Sequence, residues 1–295
     1  MRRRSETRKL LDTMTLGFAD LHLHTVASDG TQTVADLVRR AKAGALRCIA
    51  VTDHDAISGD LTTRVATHHG IEVITGVEMK VDFDGVSGEL LGYFIDPANA
   101  ALQAVLSRME RARFERMEKI VARCCENGID IHMDEVRANA EGNIGRPHIA
   151  RVLVAKGVLD DTDQAFRTLI GKGQPCFVPL EKVALAEAVR VLRGAGGVVS
   201  VAHPCLMHVE DWDRFLDQLA DAGVNALETV YPYRDPNSPN LSIAPKLLAA
   251  KAAQRGFLVS GGSDDHGTDS TRPSLGLVRL PYEHVEALKE KAAPL

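Results

Sequence analysis

The sequence lacks several features that mark common classes of protein. Its 295 residues include five cysteines but no C-x-x-C pair, which argues against a disulfide framework and favours reduced thiols. It has no apolar run near the roughly 18 residues of a spanning helix, and no apolar segment follows its basic N-terminus. A net charge of −5 argues against a protein that binds nucleic acid through an overall positive charge. We therefore expect a cytoplasmic protein with no membrane association and no stable nucleic-acid complex.

The chain instead alternates short apolar runs with helical patterns. The apolar runs are residues 18–23, 46–52, 71–77, 89–95, 197–202, 225–231 and 257–261. Between the first two, apolar residues recur at helical spacing, with Thr33 placed as an N-cap and Gly44 near the end. This alternation predicts a parallel α/β sheet or barrel, and about seven strands suit an irregular barrel.

Residues 99–173 interrupt this rhythm. They begin with one long, charged amphipathic helix that Gly128 is expected to end, and further short helices follow. We expect 99–173 to form a helical insertion in a barrel made of 17–98 and 174–295, with 1–16 as a disordered leader. The alternative is that these helices simply pack on the barrel.

Histidines and carboxylates follow the predicted strands. The C-terminal ends of parallel strands meet at one face, where such folds build their sites. In "HLH", His22 and His24 lie two apart in a strand and so point to the same side. Each residue alone has an ordinary interpretation as a turn residue or helix cap. Together they predict a divalent metal site, because imidazole and carboxylate are the donors that such ions use.

Five motifs resemble those of one known family. "DLHLHTVASDG", "AVTDHD", "GVEM", "AHP" and "GGSDDHG" occur in the order typical of the PHP (polymerase and histidinol phosphatase) family. The resemblance extends from residue 18 to about residue 280. It implies a distorted (β/α)7 barrel with a small helical insertion, two or three divalent ions, and hydrolysis of phosphate esters.

The resemblance also implies a ligand set for up to three ions. The ligands are His22, His24, Glu78 and Asp264 for a first ion, Glu78 and His203 for a second, and Asp29, His54 and His266 for a third. The family usually supplies one more histidine to the second ion, where this sequence has Glu89. A carboxylate can bind the same ions, so Glu89 is a candidate ligand. We expect Mn²⁺, with Fe, Zn and Mg as alternatives.

Candidate catalytic residues come from the same motifs. His203, His266 and Asp264 are the candidates, and either histidine could protonate the leaving group. Asp20 and Asp265 flank ligands and are expected to orient the histidines.

Substrate-binding candidates lie outside the metal motifs. Arg146 and His148, in "NIGRPHIARVL", lie at the start of a predicted helix and could bind a phosphate. An ordinary surface arginine is the alternative. Tyr231 and Tyr233 could stack on a base, although packing is the more common role of such residues.

The sequence leaves four functions open. The first is a metal-dependent phosphoesterase for nucleotides, such as nucleoside 3′,5′-bisphosphates, or for short oligonucleotides. The second is another phosphatase of the family, for histidinol phosphate or a cyclic sugar phosphate. The others are an amidohydrolase that cleaves C–N bonds and a non-catalytic metal-binding module.

Overall fold

The computed structural model describes residues 17–233, 240–268 and 274–294, and within them one twisted sheet surrounds the core. The predicted leader at 1–16 lies outside the described residues. The strands are β1 Phe18–Leu23, β2 Cys48–Val51, β3 Val65–His68, β4 Ile71–Phe83, β5 Val86–Tyr93, β6 Val183–Ala184, β7 Val198–Val201, β8 Ala226–Val230, β9 Leu258–Gly261 and β10 Leu280–Pro281. Their order in the sheet is β10-β1-β2-β4-β5-β7-β8-β9, with β3 and β6 both paired to β4.

The sheet curls so that the segment after β9 returns to β1. The amide of Asp264 donates to the carbonyl of His22 at 2.9 Å, and the amide of His24 donates to the carbonyl of Asp265 at 2.9 Å. Gly262 makes this approach possible, since a Cβ there would lie 2.3 Å from Cβ of His22. The result is a nearly closed α/β barrel, which confirms the predicted fold class.

The expectation of a parallel sheet is wrong for part of the barrel. Strand β4 pairs antiparallel with β5, and β5 pairs antiparallel with β7. The reason is a two-residue turn at Asp84 and Gly85, whose φ angles are 50° and 98°. Asp-Gly is the preferred sequence for such a hairpin turn, so the signal was present in the sequence.

A second hairpin corrects a smaller prediction. His68 and His69 look like the end of a helix in the sequence, where the helix dipole would favour them. In the structure His68 ends strand β3, which pairs antiparallel with β4. His69 and Gly70 form the turn with φ angles of 53° and 85°.

The helices surround the barrel and fill the segment between β5 and β6. They are α1 Val34–Ala43, α2 Ala100–Glu126, α3 Met133–Ala138, α4 Arg146–Ala155, α5 Thr162–Ala165, α6 Leu185–Gly194, α7 Trp212–Asp221, α8 Pro245–Gln254 and α9 Tyr282–Lys291, with a π-helical turn at Phe166–Ile170. Thr33 caps α1 by accepting a hydrogen bond from the amide of Asp36, as predicted. None of the described helices is long and apolar enough to cross a membrane.

The helices between β5 and β6 have an apolar cluster of their own. Met117, Ile120, Ile149, Leu153 and Ile170 are all buried in it. The N-terminal half of α2 packs instead into the barrel's cluster, through residues such as Leu102 and Met109. Helix α2 thus connects the two cores. The division of the chain into a barrel and an insertion at 99–173 stays a prediction.

Candidate metal centre

Histidines and acidic residues converge where the parallel strands end. His22 lies within β1 and His24 just after it, while His54 follows β2 and forms an isolated bridge with Glu78 of β4. His203 comes directly after the β7 segment. The metal-ligand candidates from the sequence are therefore brought to one end of the barrel.

The donor atoms fall into three overlapping groups. Within each group, the ring nitrogens and carboxylate oxygens lie within 4.8 Å of one another. The groups are His22, His24 and Asp264; His24, Asp29, His54 and His266; and His54, Glu78 and Glu89. They correspond closely to the first and third predicted ion sites and to part of the second.

Glu78 lies at the centre of these groups. Its Oε2 is 3.4 Å from Nε2 of His22, 3.4 Å from Nε2 of His24 and 2.8 Å from Nδ1 of His54. Its Oε1 is 3.2 Å from Nε2 of His203. Two ligands that bind one ion at about 2.1 Å lie about 3.0–3.4 Å apart, so these spacings suit ligands that share ions.

Several of these atoms have no hydrogen bond to the described part of the chain. Nε2 of His22, Nε2 of His24 and Oε2 of Glu78 are buried and lack a partner of suitable geometry there. Leaving buried polar atoms unpaired is costly, and a divalent cation would satisfy all three together. The donors are imidazole and carboxylate without thiolate, which fits Mn, Fe or Zn.

Electrostatics sets the charge of each group. Burial lowers the pKa of His24 to about 3, and the neighbouring His266 and His54 act in the same direction. Burial also opposes a charge on His54, but Glu78 and Asp29 outweigh it and raise the pKa of His54 to about 9. The same imidazoles hold the pKa values of Glu78 and Asp29 well below their usual range despite burial. The carboxylates are thus ionised and His24 is neutral, which suits metal binding, whereas His54 would lose a proton when it binds an ion.

Some of the non-glycine residues with positive φ angles lie at the same place. Asp55, His203 and Asp264 have positive φ angles of 48°, 28° and 57°. Such conformations cost about 1–3 kcal/mol each for non-glycine residues and occur mostly at functional sites. Of the three, His203 and Asp264 line the cleft, whereas the carboxylate of Asp55 accepts hydrogen bonds from Arg113 and from the amide of Lys80.

Glu89, a candidate ligand that the resemblance implied, lies within reach of the site. Its Oε2 is 3.3 Å from Nε2 of His203, and its Oε1 is 3.1 Å from Nζ of Lys80. Although burial opposes it, Lys80 and His203 lower the pKa of Glu89, so the carboxylate is ionised. Its role as a ligand stays a prediction.

The carboxylate that orients His22 was missed in the sequence. Glu228, in β8, lies 3.1 Å from Nδ1 of His22 and accepts a hydrogen bond of 2.7 Å from the amide of His203. The residues expected in this role contact other groups: Asp20 accepts from the amide of Ser263, and Asp265 from the guanidinium of Arg40. No local signal marks Glu228, because it lies 206 residues from its partner.

Residues from the helical segment support the metal-binding loops from outside. Nδ2 of Asn143 donates to the carbonyls of His54 and Asp55 at 3.2 and 3.0 Å. Arg113 of α2 donates to the buried carboxylate of Asp55 at 2.7 Å, and Arg151 of α4 donates to the carbonyl of Asp29 at 2.6 Å. These contacts connect the helices to the donor group of His24, Asp29, His54 and His266.

A cleft of about 840 Å³ opens directly above the metal-ligand candidates. Its lining contains the ligand candidates Asp29, His54, Glu89, His203 and Asp264, together with basic and aromatic side chains. The basic and aromatic residues of the lining are Lys80, Arg113, Arg116, Arg146, Phe166, Lys172, Phe177, Lys182, Tyr231 and Tyr233.

The two predicted substrate-binding residues differ in position. Arg146 lines the cleft and donates to the carbonyl of Ile170 at 3.2 Å. His148 is 2% exposed, and its Nδ1 accepts a hydrogen bond of 3.0 Å from the amide of Gly145 at the start of α4. It therefore shapes the helix end beside Arg146. The substrate roles of both residues stay predictions.

The tyrosine after β8 is tied to the metal centre. The hydroxyl of Tyr231 donates to Oδ2 of Asp264 at 3.0 Å, and its ring packs against that of Tyr233 with 4.9 Å between centroids. Tyr231 thus orients a candidate ligand while its ring forms part of the cleft.

Known proteins are similar to this chain in sequence and in fold. The PHP domain matches residues 20–156. A 3′,5′-nucleoside bisphosphate phosphatase of Chromobacterium violaceum is 32% identical over 84% of this chain and 86% of its own length. A 5′-3′ exoribonuclease of Haemophilus influenzae is 35% identical over 63% of this chain and 68% of its own.

A solved structure agrees with these relatives. It is that of a protein of Bifidobacterium adolescentis described as a candidate metal-dependent phosphoesterase. The two structures superpose with a TM-score of 0.82 and 29% sequence identity, and the match covers 94% of this chain and 97% of the other. The shared sequence, the shared fold and the cluster of metal donors agree on a hydrolase of phosphate esters that uses divalent metal. The chain belongs to the PHP family of metal-dependent phosphoesterases.

Proposed function

We propose that this phosphoesterase hydrolyses phosphate esters of small nucleotides, in particular nucleoside 3′,5′-bisphosphates, with short oligonucleotides as related substrates. The observation that carries the proposal is a group of arginines on the cleft wall that faces the metal centre. Arg116 and Arg146 both line the cleft, and within residues 17–233, 240–268 and 274–294 neither forms an ion pair with a carboxylate.

The positions of the arginines favour binding of an anion. Burial, together with the nearby Arg146 and Arg113, lowers the pKa of Arg116 to about 9. Arg116 is held by its Nε, which donates to the carbonyl of Val178 at 2.7 Å. A phosphate would relieve the mutual repulsion of these guanidinium groups and accept paired hydrogen bonds from them.

The cleft has room for more than one phosphate. Its volume of about 840 Å³ falls in the upper part of the range of about 300–1,000 Å³ found for small-molecule sites. One phosphate would lie at the metal centre and a second at the arginines, with the nucleoside between them. Tyr231 and Tyr233 offer aromatic surface for a base there.

Each group of residues has a proposed task. His22, His24, Asp29, His54, Glu78, Glu89, His203, Asp264 and His266 would hold two or three divalent ions, Mn²⁺ first among the candidates. Bound ions lower the pKa of water and neutralise phosphoryl oxygens. Where it does not bind an ion, His203, which is 13% exposed in its side chain and lines the cleft, would donate a proton to the leaving oxygen. His266 is the second candidate for that step.

A substrate panel tests the proposal. Mn²⁺-reconstituted protein is assayed for phosphate release from a nucleoside 3′,5′-bisphosphate, the matching 3′- and 5′-monophosphates, histidinol phosphate and a cyclic sugar phosphate. We expect the highest kcat/KM for the bisphosphate, because only this substrate places one phosphate at the metal centre and another at the arginines. Equal or better hydrolysis of compounds with one phosphate would contradict the proposal.

A second candidate substrate is the end of a short RNA. The 35% identical relative is named a 5′-3′ exoribonuclease, and the cleft lining continues past the arginines to Lys172. A 5′-phosphorylated trinucleotide added to the same panel distinguishes the two. Release of mononucleotides at a higher kcat/KM than phosphate from the bisphosphate would favour the nuclease.

A further inference from the structure

An ion pair lies at the edge of the metal centre. Lys80 of β4 and Glu89 of β5 are directly opposite each other in the antiparallel pair. Nζ of Lys80 is 3.1 Å from Oε1 of Glu89. Both side chains line the cleft. Cross-strand neighbours of opposite charge stabilise a hairpin, but this pair also borders the candidate ion sites.

The two oxygens of Glu89 face different partners. Oε1 contacts the Lys80 ammonium, whereas Oε2 lies 3.3 Å from Nε2 of His203. Glu89 also belongs to the group of donors with His54 and Glu78. The ammonium therefore occupies one of the two oxygens that the carboxylate could offer to an ion.

Lys80 is held in place by its backbone as well. Its amide donates to Oδ1 of Asp55 at 3.1 Å, so the residue is fixed beside the His54 loop. An ammonium has three N–H donors, and Glu89 uses one of them. The side chain is 28% exposed on the cleft side, which places the remaining donors toward a ligand in the cleft.

We propose that Lys80 is a specificity-determining residue of this site. Its ammonium restricts Glu89 to one oxygen for an ion held with His54 and Glu78, and its free N–H groups bind the substrate phosphate. Lys80 thereby weakens the ion at that position and strengthens phosphate binding, so a fixed positive charge replaces part of what an ion would supply. This inference rests on the proposed function only for the identity of the phosphate.

Removal of the ammonium tests both effects without an activity assay. In Lys80→Met, we expect Mn²⁺ to bind the metal-free protein about tenfold more tightly at its weakest site, and inorganic phosphate to bind the Mn²⁺-loaded protein about tenfold more weakly. Isothermal titration calorimetry measures both constants. A merely structural residue would not move them in opposite directions.

Two further variants keep the test decisive. Lys80→Arg retains the charge and should leave both constants within about threefold of wild type. Lys182→Met is the matched control, since Lys182 also lines the cleft but lies 3.6 Å from Asp82, away from the ion donors. It should leave the Mn²⁺ affinity unchanged.

Glu89→Gln provides the reciprocal change. It removes an anionic donor and should weaken Mn²⁺ at the same site by about tenfold. Circular dichroism and thermal melting establish that each variant is folded.

Three outcomes would overturn the inference. They are unchanged constants in Lys80→Met, a fall of both Mn²⁺ and phosphate affinity in that variant, and an equal effect in Lys182→Met. If Lys80→Met misfolds, a tenfold loss of phosphate affinity in Lys80→Arg would equally contradict it. Failure of wild type to hydrolyse bisphosphates would refute the proposed function, whereas tighter Mn²⁺ in Lys80→Met would still support the role of Lys80.

Discussion

The two walls of the cleft contrast in charge and in origin. The barrel wall carries imidazoles and carboxylates, among which His54, His203 and Asp264 line the cleft. The helical wall carries guanidinium groups, such as Arg116 and Arg146. One wall suits cations and the other suits anions, so a phosphate ester would be held between bound ions and arginines. The contrast separates chemistry on the barrel from recognition on the helices.

The largest effect should come from removing a candidate metal ligand of the barrel. His24 contributes to two of the donor groups, so we expect His24→Ala to lower kcat/KM by more than about 100-fold, since even indirect changes at metal sites cost about 10–100-fold. Phosphate release under saturating Mn²⁺ measures it. His132→Ala is the control, because His132 is exposed and its ring is next to Asp130. Wild-type activity in His24→Ala would refute the metal mechanism.

The next effect should come from the helical wall. We expect Arg146→Ala to raise KM for the bisphosphate by about 10–100-fold with little change in kcat, because one charged hydrogen-bonding group is lost. Mn²⁺ content should stay as in wild type. Arg167→Ala, at an exposed arginine of the π-helical turn, should change neither constant. A loss of bound metal in Arg146→Ala would show that the two walls are not separate.

A link between the walls predicts a smaller effect. Asn143 donates to the carbonyls of His54 and Asp55, so Asn143→Ala should weaken the ion bound near His54 by about tenfold, as other indirect changes at metal sites do. Calorimetry with Mn²⁺ measures this. Asn139→Ala is the matched control, because the side-chain amide of Asn139 donates to the carbonyl of Glu135 in helix α3 and not to a metal-binding loop. Equal Mn²⁺ affinity in both variants would show that the helices do not position the site.

The smallest effect concerns a tyrosine on the barrel side. Tyr231→Phe removes the hydroxyl that donates to Asp264 at 3.0 Å. We expect kcat to fall about threefold, less than the full contribution of a hydrogen bond to a charged group, because the backbone also holds Asp264 in place. Steady-state kinetics at saturating substrate checks it. Tyr282→Phe loses a hydroxyl contact to Glu72 outside the cleft and should keep wild-type kcat. If Tyr231→Phe keeps the wild-type kcat, the hydroxyl of Tyr231 does not contribute to catalysis.

The barrel wall was largely predictable because its residues lie within their strands or shortly after them. His22, His24, His54 and Glu78 lie in short local motifs, and the geometry of parallel strand ends then brings them together. The structure places these candidates within reach of one another. Their individual roles as ligands stay predictions.

The helical wall and the supporting contacts could not be predicted in the same way. Glu228 meets His22 across 206 positions and Asn143 meets His54 across 89, and no local pattern specifies such pairs. The antiparallel course of β5 is a different case, since Asp84 and Gly85 marked the hairpin. The pairing of Lys80 with Glu89 depends on the register of that hairpin.

Metal content tests the central claim most directly. Protein stripped with a chelator is dialysed against Mn²⁺, and bound metal per chain is measured by mass spectrometry, alongside His24→Ala. We predict at least two ions per wild-type chain, fewer in the variant, and phosphate release that rises with occupancy. Wild-type protein that binds no divalent ion, or that hydrolyses phosphate esters equally well after stripping, would contradict the account.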